Sequence, residues 1–143
     1  MANEPVHYGK KHPRDSKGDP GIQKALRERL NKGELPCAVA FQIASDLKVS
    51  PREVGRNADL MEMPLVKCQM GLFGYSPEKK IVKAADTVSD ALRTAIEQRL
   101  ENGRLPCAQA WQVAKDLGLR KMAVASACEA LDIKIVSCQL GAF

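Results

Sequence analysis

The sequence predicts a mainly α-helical protein with short β strands, built as two tandem three-helix units. Three observations carry that expectation. Residues 30–73 and 100–143 align without a gap at an offset of 70, so GELPCAVAFQIASDL answers GRLPCAQAWQVAKDL and PLVKCQMGLF answers KIVSCQLGAF. Self-similarity of this kind sets architecture before any motif does. Within each copy, apolar residues recur at helical spacing in three short blocks. Proline and glycine fall at matched places between the blocks, where helices start and stop.

The elements run in order along the chain. Residues 1–19 read as a flexible arm, rich in Lys, Pro, Gly and Asp. Its Lys10, Lys11, Arg14 and Lys17 either solvate a tail or lie along phosphates, as basic arms do. Pro20 opens a helix over residues 20–33 with Ile22, Ala25, Leu26 and Leu30 on one face, and Gly33 as its left-handed cap. Pro36 suits the first turn of a second helix, 36–47, whose apolar face carries Val39, Ala40, Ile43, Ala44 and Leu47. Lys48, Val49 and Ser50 make a short turn. Ser50, Pro51 and Glu53 then supply a cap, a first-turn proline and an acid at the third position, the start of a helix over 51–61. Pro64 stops it, and residues 65–73 read as a strand. The second copy repeats the plan with helices over 87–101, capped by Gly103, then 106–117 and 121–131, and a strand over 134–140. The domain layout is therefore 1–19 arm, 20–75 first unit, 76–86 connector and 87–143 second unit.

Composition bounds the function. The chain has 143 residues, so each copy is small and gains stability by packing against a neighbour. No apolar run approaches the ~20 residues needed to cross a bilayer. The N-terminal residues lack the apolar stretch of a secretory signal. A cytoplasmic protein without membrane contact is the expectation. The formal net charge is +5, which permits nucleic-acid binding without establishing it. The excess is spread out, with 12 Lys/Arg against 9 Asp/Glu in residues 1–73 and 10 against 8 in residues 74–143.

The segment CAVAFQIASDLKVSPREVGRNADL places small Ala40 and Ala44 where two helices approach, Val49 in the turn and Val54 as anchor of the third helix. It resembles a helix-turn-helix, and with the strand after it, it resembles the DNA-reading half of winged helix regulators. The likeness covers about residues 20–73, and again 87–143. Ala40, Ala44, Leu47, Val49 and Val54 match its apolar positions in the first copy; Ala110, Ala114, Leu117, Leu119 and Val124 match them in the second. The resemblance implies double-stranded DNA as partner, with the third helix of the first copy in the major groove. Arg52, Glu53, Arg56 and Asn57 are then its polar candidates for base edges, and Ser50 and Lys67 its candidates for phosphate. In the second copy Arg120 and Lys121 begin the third helix, but KMAVASACEALDI is otherwise small and apolar. That helix suits close packing, within the chain or across a homodimer, and a dimer suits palindromic DNA.

Four cysteines fall at matched places, Cys37 with Cys107 and Cys68 with Cys138, while Cys128 has Ala58 opposite it. Three readings stay open. Thiols can simply fill core positions. They can form a thiol sensor, with helix starts lowering the pKa of Cys37 and Cys107. Four thiols can hold a metal, although no Cys-x-x-Cys spacing is present. Phe73 and Phe143 read as core or interface residues.

No paired carboxylates or Cys–His couple suggests catalysis, because His7 and His12 both lie in the arm. No cofactor is implied. The sequence thus points to a non-enzymatic, sequence-specific DNA-binding regulator of transcription. The alternative is a protein-interaction or thiol- or metal-responsive module built from two such units that do not touch DNA.

Overall fold

The computed structural model describes residues 17–30 and 33–143. The expectations for Lys10, Lys11, Arg14, His7 and His12 lie outside the described residues. The chain is mainly helical, with a few very short strands. It divides into two compact units, Met1–Val66 and Lys67–Phe143. Residues 67–75, which the sequence places at the end of the first unit, thus count with the second.

In the first unit, α1 (Pro20–Arg29) begins where the Asp19 carboxylate accepts the N–H groups of Gly21 (2.8 Å) and Ile22 (3.3 Å). That cap satisfies two of the donors every helix start leaves open. The helix ends at Arg29 because Leu30 is extended. Gly33, the expected cap, lies beyond the helix, although its φ of 69° is left-handed as expected. After β1 (Leu35–Pro36) come α2 (Cys37–Leu47), α3 (Pro51–Leu60) and β2 (Leu65–Val66). Ile22 and Leu26 of α1, Ile43 of α2 and Val54 of α3 are fully buried together with Leu35. Each such side chain contributes about 2 kcal/mol of burial free energy. Ala40 and Ala58 are also fully buried, and their small side chains let the three helices close on one another.

The turn between α2 and α3 is three residues long. Lys48 takes a left-handed conformation (φ 56°), and the Val49 N–H donates to the Ala44 carbonyl (3.0 Å). Ser50 then caps α3, its Oγ accepting the Glu53 N–H at 3.2 Å.

The second unit has α4 (Asp90–Glu97), β3 (Leu105–Pro106), α5 (Cys107–Leu117), α6 (Lys121–Ala130) and β4 (Ile135–Val136). The bounds of α5, α6, β3 and β4 fall 70 positions after those of α2, α3, β1 and β2. Helix α4 is shorter than the expected 87–101. Ser89 caps it through the Leu92 N–H (3.2 Å). It stops before Glu101 and Arg104, which pair antiparallel across Asn102 (φ 52°) and Gly103 (φ 76°). Two left-handed residues in a row give the tight turn that Asn-Gly favours, so Gly103 closes a turn and caps no helix.

The strands differ most from expectation. Residues 65–73 and 134–140 each supply only two strand residues, β2 and β4. Both pair in parallel with the Leu-Pro segment ahead of the middle helix, Leu35 opposite Leu65 and Leu105 opposite Ile135. They end because Lys67 (φ 52°) and Ser137 (φ 55°) turn left-handed. Each copy then folds into a compact turn. The Cys68 N–H donates to the Phe73 carbonyl (3.2 Å) and the Cys138 N–H to the Phe143 carbonyl (3.0 Å). Phe73 and Phe143 meet edge to face, with ring centroids 6.0 Å apart. After α3 and α6 the described residues hold this parallel clip, and no antiparallel hairpin.

The core of the second unit draws on residues from before α4. Met70 is fully buried and Val82 nearly so, in one cluster with Ile96, Leu105, Val113 and Val124. Gly71 makes the docking possible. Its carbonyl accepts the N–H groups of both Ile81 (2.9 Å) and Val82 (3.1 Å).

Candidate nucleic-acid interface

The expected reading surface is α3, and the fold covers most of it. Only Arg52 on that helix is exposed; Val54, Gly55, Asn57, Ala58 and Asp59 are buried. The cover is the chain leading into α1. The Asp19 N–H donates to Asn57 Oδ1 at 2.6 Å, and Arg56 Nη1 donates to the Lys17 carbonyl at 2.9 Å. The second unit uses the same device. The Ala85 N–H, ahead of α4, donates to the Ser126 carbonyl of α6 (3.0 Å), and Lys80 pairs with Glu129.

Asn57, expected to read bases, is therefore a structural residue. It is fully buried, and its amide also donates to the Glu53 carbonyl at 2.9 Å. Arg56 and Glu53 are likewise committed. The guanidinium donates from Nε and Nη2 to the Glu53 carboxylate one turn away. That hydrogen bonding raises the Arg56 pKa further above its ordinary value. The pair leaves little net charge for a ligand.

The remaining candidates gather at the start of α3. Ser50 and Arg52 are exposed there, beside Lys48 of the turn. Among the described residues neither Lys48 nor Arg52 meets a carboxylate. Lys48 is a further candidate that sequence reasoning treats only as a turn residue; its place in the three-residue turn before α3 is the available signal. Lys67 is exposed but belongs to the second unit. Arg120 is exposed at the N-cap of α6 and makes no side-chain cap bond. Lys121 lies over the Trp111 ring, its Nζ 4.3 Å from the centroid.

The matched apolar positions divide by burial, with Val49 half-buried between the two groups. Ala40, Ala44, Val54, Ala110, Ala114 and Val124 are buried. Leu47, Leu117 and Leu119 are not, standing 39%, 38% and 40% exposed.

Behind these surfaces, each unit braces its middle helix in the same way. Asp46 accepts from Arg29 (2.8 Å) and from Gln42 Nε2 (2.8 Å). Asp116 accepts from Arg99 (3.0 Å) and from Gln112 Nε2 (2.7 Å). Gln42 and then Arg29 hold the Asp46 carboxyl below its ordinary pKa. Both aspartates remain exposed while bonding across to the residues that precede the middle helix.

Cys37, Cys68, Cys107, Cys138 and Cys128 are all buried. Cys107 corrects the expectation of a lowered pKa at a helix start. Burial pushes its thiol up to about 11, against the N–H donors of Gln139, whose Nε2 lies 3.6 Å from Sγ. Desolvation outweighs the helix terminus when the thiol is sealed from water. Cys128 is likewise pushed up to about 11 by burial. Among the described residues no group of three or more His, Cys, Asp or Glu is placed to hold a metal. No helix of the described residues is long and apolar enough to cross a membrane.

No family model, curated protein or solved structure matches the chain.

Proposed function

We propose that the protein is a small, cytoplasmic DNA-binding regulator made of one helix-turn-helix unit used twice, the first copy contacting double-stranded DNA and the second supporting packing or dimerisation. The observation that carries this reading is the start of α3. A three-residue turn presents Lys48, Ser50 and Arg52 together, with both cations uncompensated among the described residues. Recognition helices contact base edges mainly through their N-terminal residues, so a helix covered along its later turns retains the part that reads DNA. Arg52 suits a guanine edge, Lys48 a phosphate, and the Ser50 hydroxyl a phosphate oxygen. In this reading Asn57, Arg56 and Glu53 hold α3 in place. Arg120 and Lys121 supply further phosphate contacts, and a homodimer sets two first copies on a palindromic site.

The test is selection from a random duplex library with the full, reduced protein, followed by titration of selected sites at low and near-physiological salt. A defined site, with affinity falling steeply as salt rises, supports the reading. Loss of site preference in Arg52→Ala, with affinity reduced but preference kept in Lys48→Ala, assigns base contact to the first and phosphate contact to the second. Absence of any enriched site overturns sequence-specific binding.

A further inference from the structure

We infer that the groove between α5 and the start of α6 seats an acidic segment of a partner protein through one bulky apolar side chain. The groove encloses about 570 Å³ and is lined by Ala108 and Trp111 of α5, Leu119 of the turn and Gln139 of the closing turn, with Lys115 and Lys121 on its rim. All of these residues belong to the second unit, and of them the DNA reading uses only Lys121, as a phosphate contact.

Charge comes first. Neither Lys115 nor Lys121 meets a carboxylate among the described residues. Asp116, next to Lys115 in the chain, is already held by Arg99 and Gln112. Lys121 rests its ammonium on the Trp111 ring and reaches Gln69 Oε1 at 3.3 Å. An ammonium on an aromatic face keeps donors directed outward, so it can hold a carboxylate without leaving the ring. The groove thus presents an apolar floor under two cations that lack acidic partners.

The copy-to-copy comparison sharpens this. Seventy positions earlier, Phe41, Ser45, Val49 and Pro51 stand where Trp111, Lys115, Leu119 and Lys121 stand. Helices α2 and α3 form without either lysine, so the second unit has no need of them for its fold. Both cations and the larger ring are features of this one face.

The shape favours a peptide over a small molecule. Small ligands are held in sites that enclose most of their surface. This groove opens to solvent, and Leu119 in its lining remains 40% exposed. A chain that places one large side chain in the groove continues past Leu119 and sets its acidic neighbours beside Lys115 and Lys121.

Trp111 is the only tryptophan, so its emission reports the groove directly. The intact protein is titrated with a short peptide of Glu, Asp and Leu carrying one central Phe. Two companion peptides carry Gln and Asn for the acids, or Ala for the Phe, and a duplex oligonucleotide forms the fourth arm. The acidic Phe peptide is expected to shift Trp111 emission saturably, and each companion to bind about tenfold more weakly. Anisotropy of the labelled peptide repeats the measurement on Lys115→Gln/Lys121→Gln, whose Trp111 baseline differs, after circular dichroism has shown an unchanged fold. A loss of about tenfold is expected there too. Silence of Trp111 towards the acidic Phe peptide overturns the inference, as does equal binding of the uncharged peptide. A duplex-induced shift that needs Lys115 and Lys121, with no response to peptide, assigns the groove to nucleic acid and overturns it as well.

Discussion

Replacing Asn57 by alanine separates two roles for the same residue. A base-reading asparagine would lower DNA affinity when removed and leave stability alone. The structure gives the opposite expectation. Asn57→Ala strips the acceptor from the Asp19 N–H, bonded at 2.6 Å, and removes the donor to the Glu53 carbonyl at 2.9 Å. Leaving a partly buried amide without its partner costs about 1 to 3 kcal/mol. Alanine returns roughly 0.5 kcal/mol as the better helix former. The net loss is about 1 to 2 kcal/mol, and it falls on the attachment of the lead-in chain to α3. With a urea dependence of about 1 kcal/mol per molar, the first unit's unfolding midpoint drops by about 1 to 2 M. Far-ultraviolet circular dichroism against urea measures it. An unchanged midpoint together with reduced duplex binding would falsify the structural role assigned here and return Asn57 to the reading surface.

Lys48→Gly is expected to stabilise the first unit by up to about 1 kcal/mol, since glycine adopts the left-handed cap without strain and Gly118 already does so in the second unit; an unchanged or lower melting temperature counts against that. Gly71→Ala is expected to destabilise the second unit by about 1 to 3 kcal/mol, because the residue has a φ of 75° and a Cβ there would lie 3.1 Å from both Met122 Cε and the Val82 amide. Loss of Trp111 emission at lower urea is the readout. Cys107 and Cys128 are expected to resist iodoacetamide near neutral pH in the folded protein and to react once it is unfolded, as mass spectrometry of the alkylated peptides will show. Their folded-state pKa values are raised, so the stability tied to them is fully present below the ordinary thiol value of 9.0 and is lost as pH climbs towards about 11. Stability that stays level across that interval refutes the burial assignment.

The middle and third helices were legible because their ends are written in local chemistry. Ser50, Pro51 and Glu53 mark the start of α3, and Pro36 and Pro106 sit immediately before α2 and α5. The strands were not. Lys67 and Ser137 turn left-handed without being glycine, so no residue type announces that β2 and β4 stop after two positions. The parallel pairing of Leu35 with Leu65 is a tertiary fact that hydrophobic period does not carry. Asn57 misled for a related reason. A polar residue on a helix implies exposure, yet here the Asp19 amide, 38 positions away in the chain, satisfies it in the interior. Cys107 misled because the helix-start effect is visible in sequence, whereas the burial that outweighs it is not.

The candidate site was legible in its residue types and less so in their placement. Arg52 stands among the expected candidates, Lys48 reads only as a turn residue, and Trp111 has no place among them. The contrast between frame and face explains this. The braces that set the middle helix recur in both units, Arg29 with Asp46 and Gln42, and Arg99 with Asp116 and Gln112. A shared frame makes two surfaces look alike in sequence. The turn after that helix differs, Lys-Val-Ser in one copy and Gly-Leu-Arg in the other, as does the first residue of the third helix, Pro51 against Lys121. In both units the lead-in chain bonds to the third helix beyond its start, and the turns ahead of that helix stay largely exposed, at Lys48 and Ser50 in one and at Gly118, Leu119 and Arg120 in the other. Divergence at a few positions therefore suffices to give one frame two faces. In the proposed readings the polar face of Lys48, Ser50 and Arg52 suits nucleic acid, whereas Trp111, Leu119 and the two lysines beside them suit a side chain and its acidic neighbours.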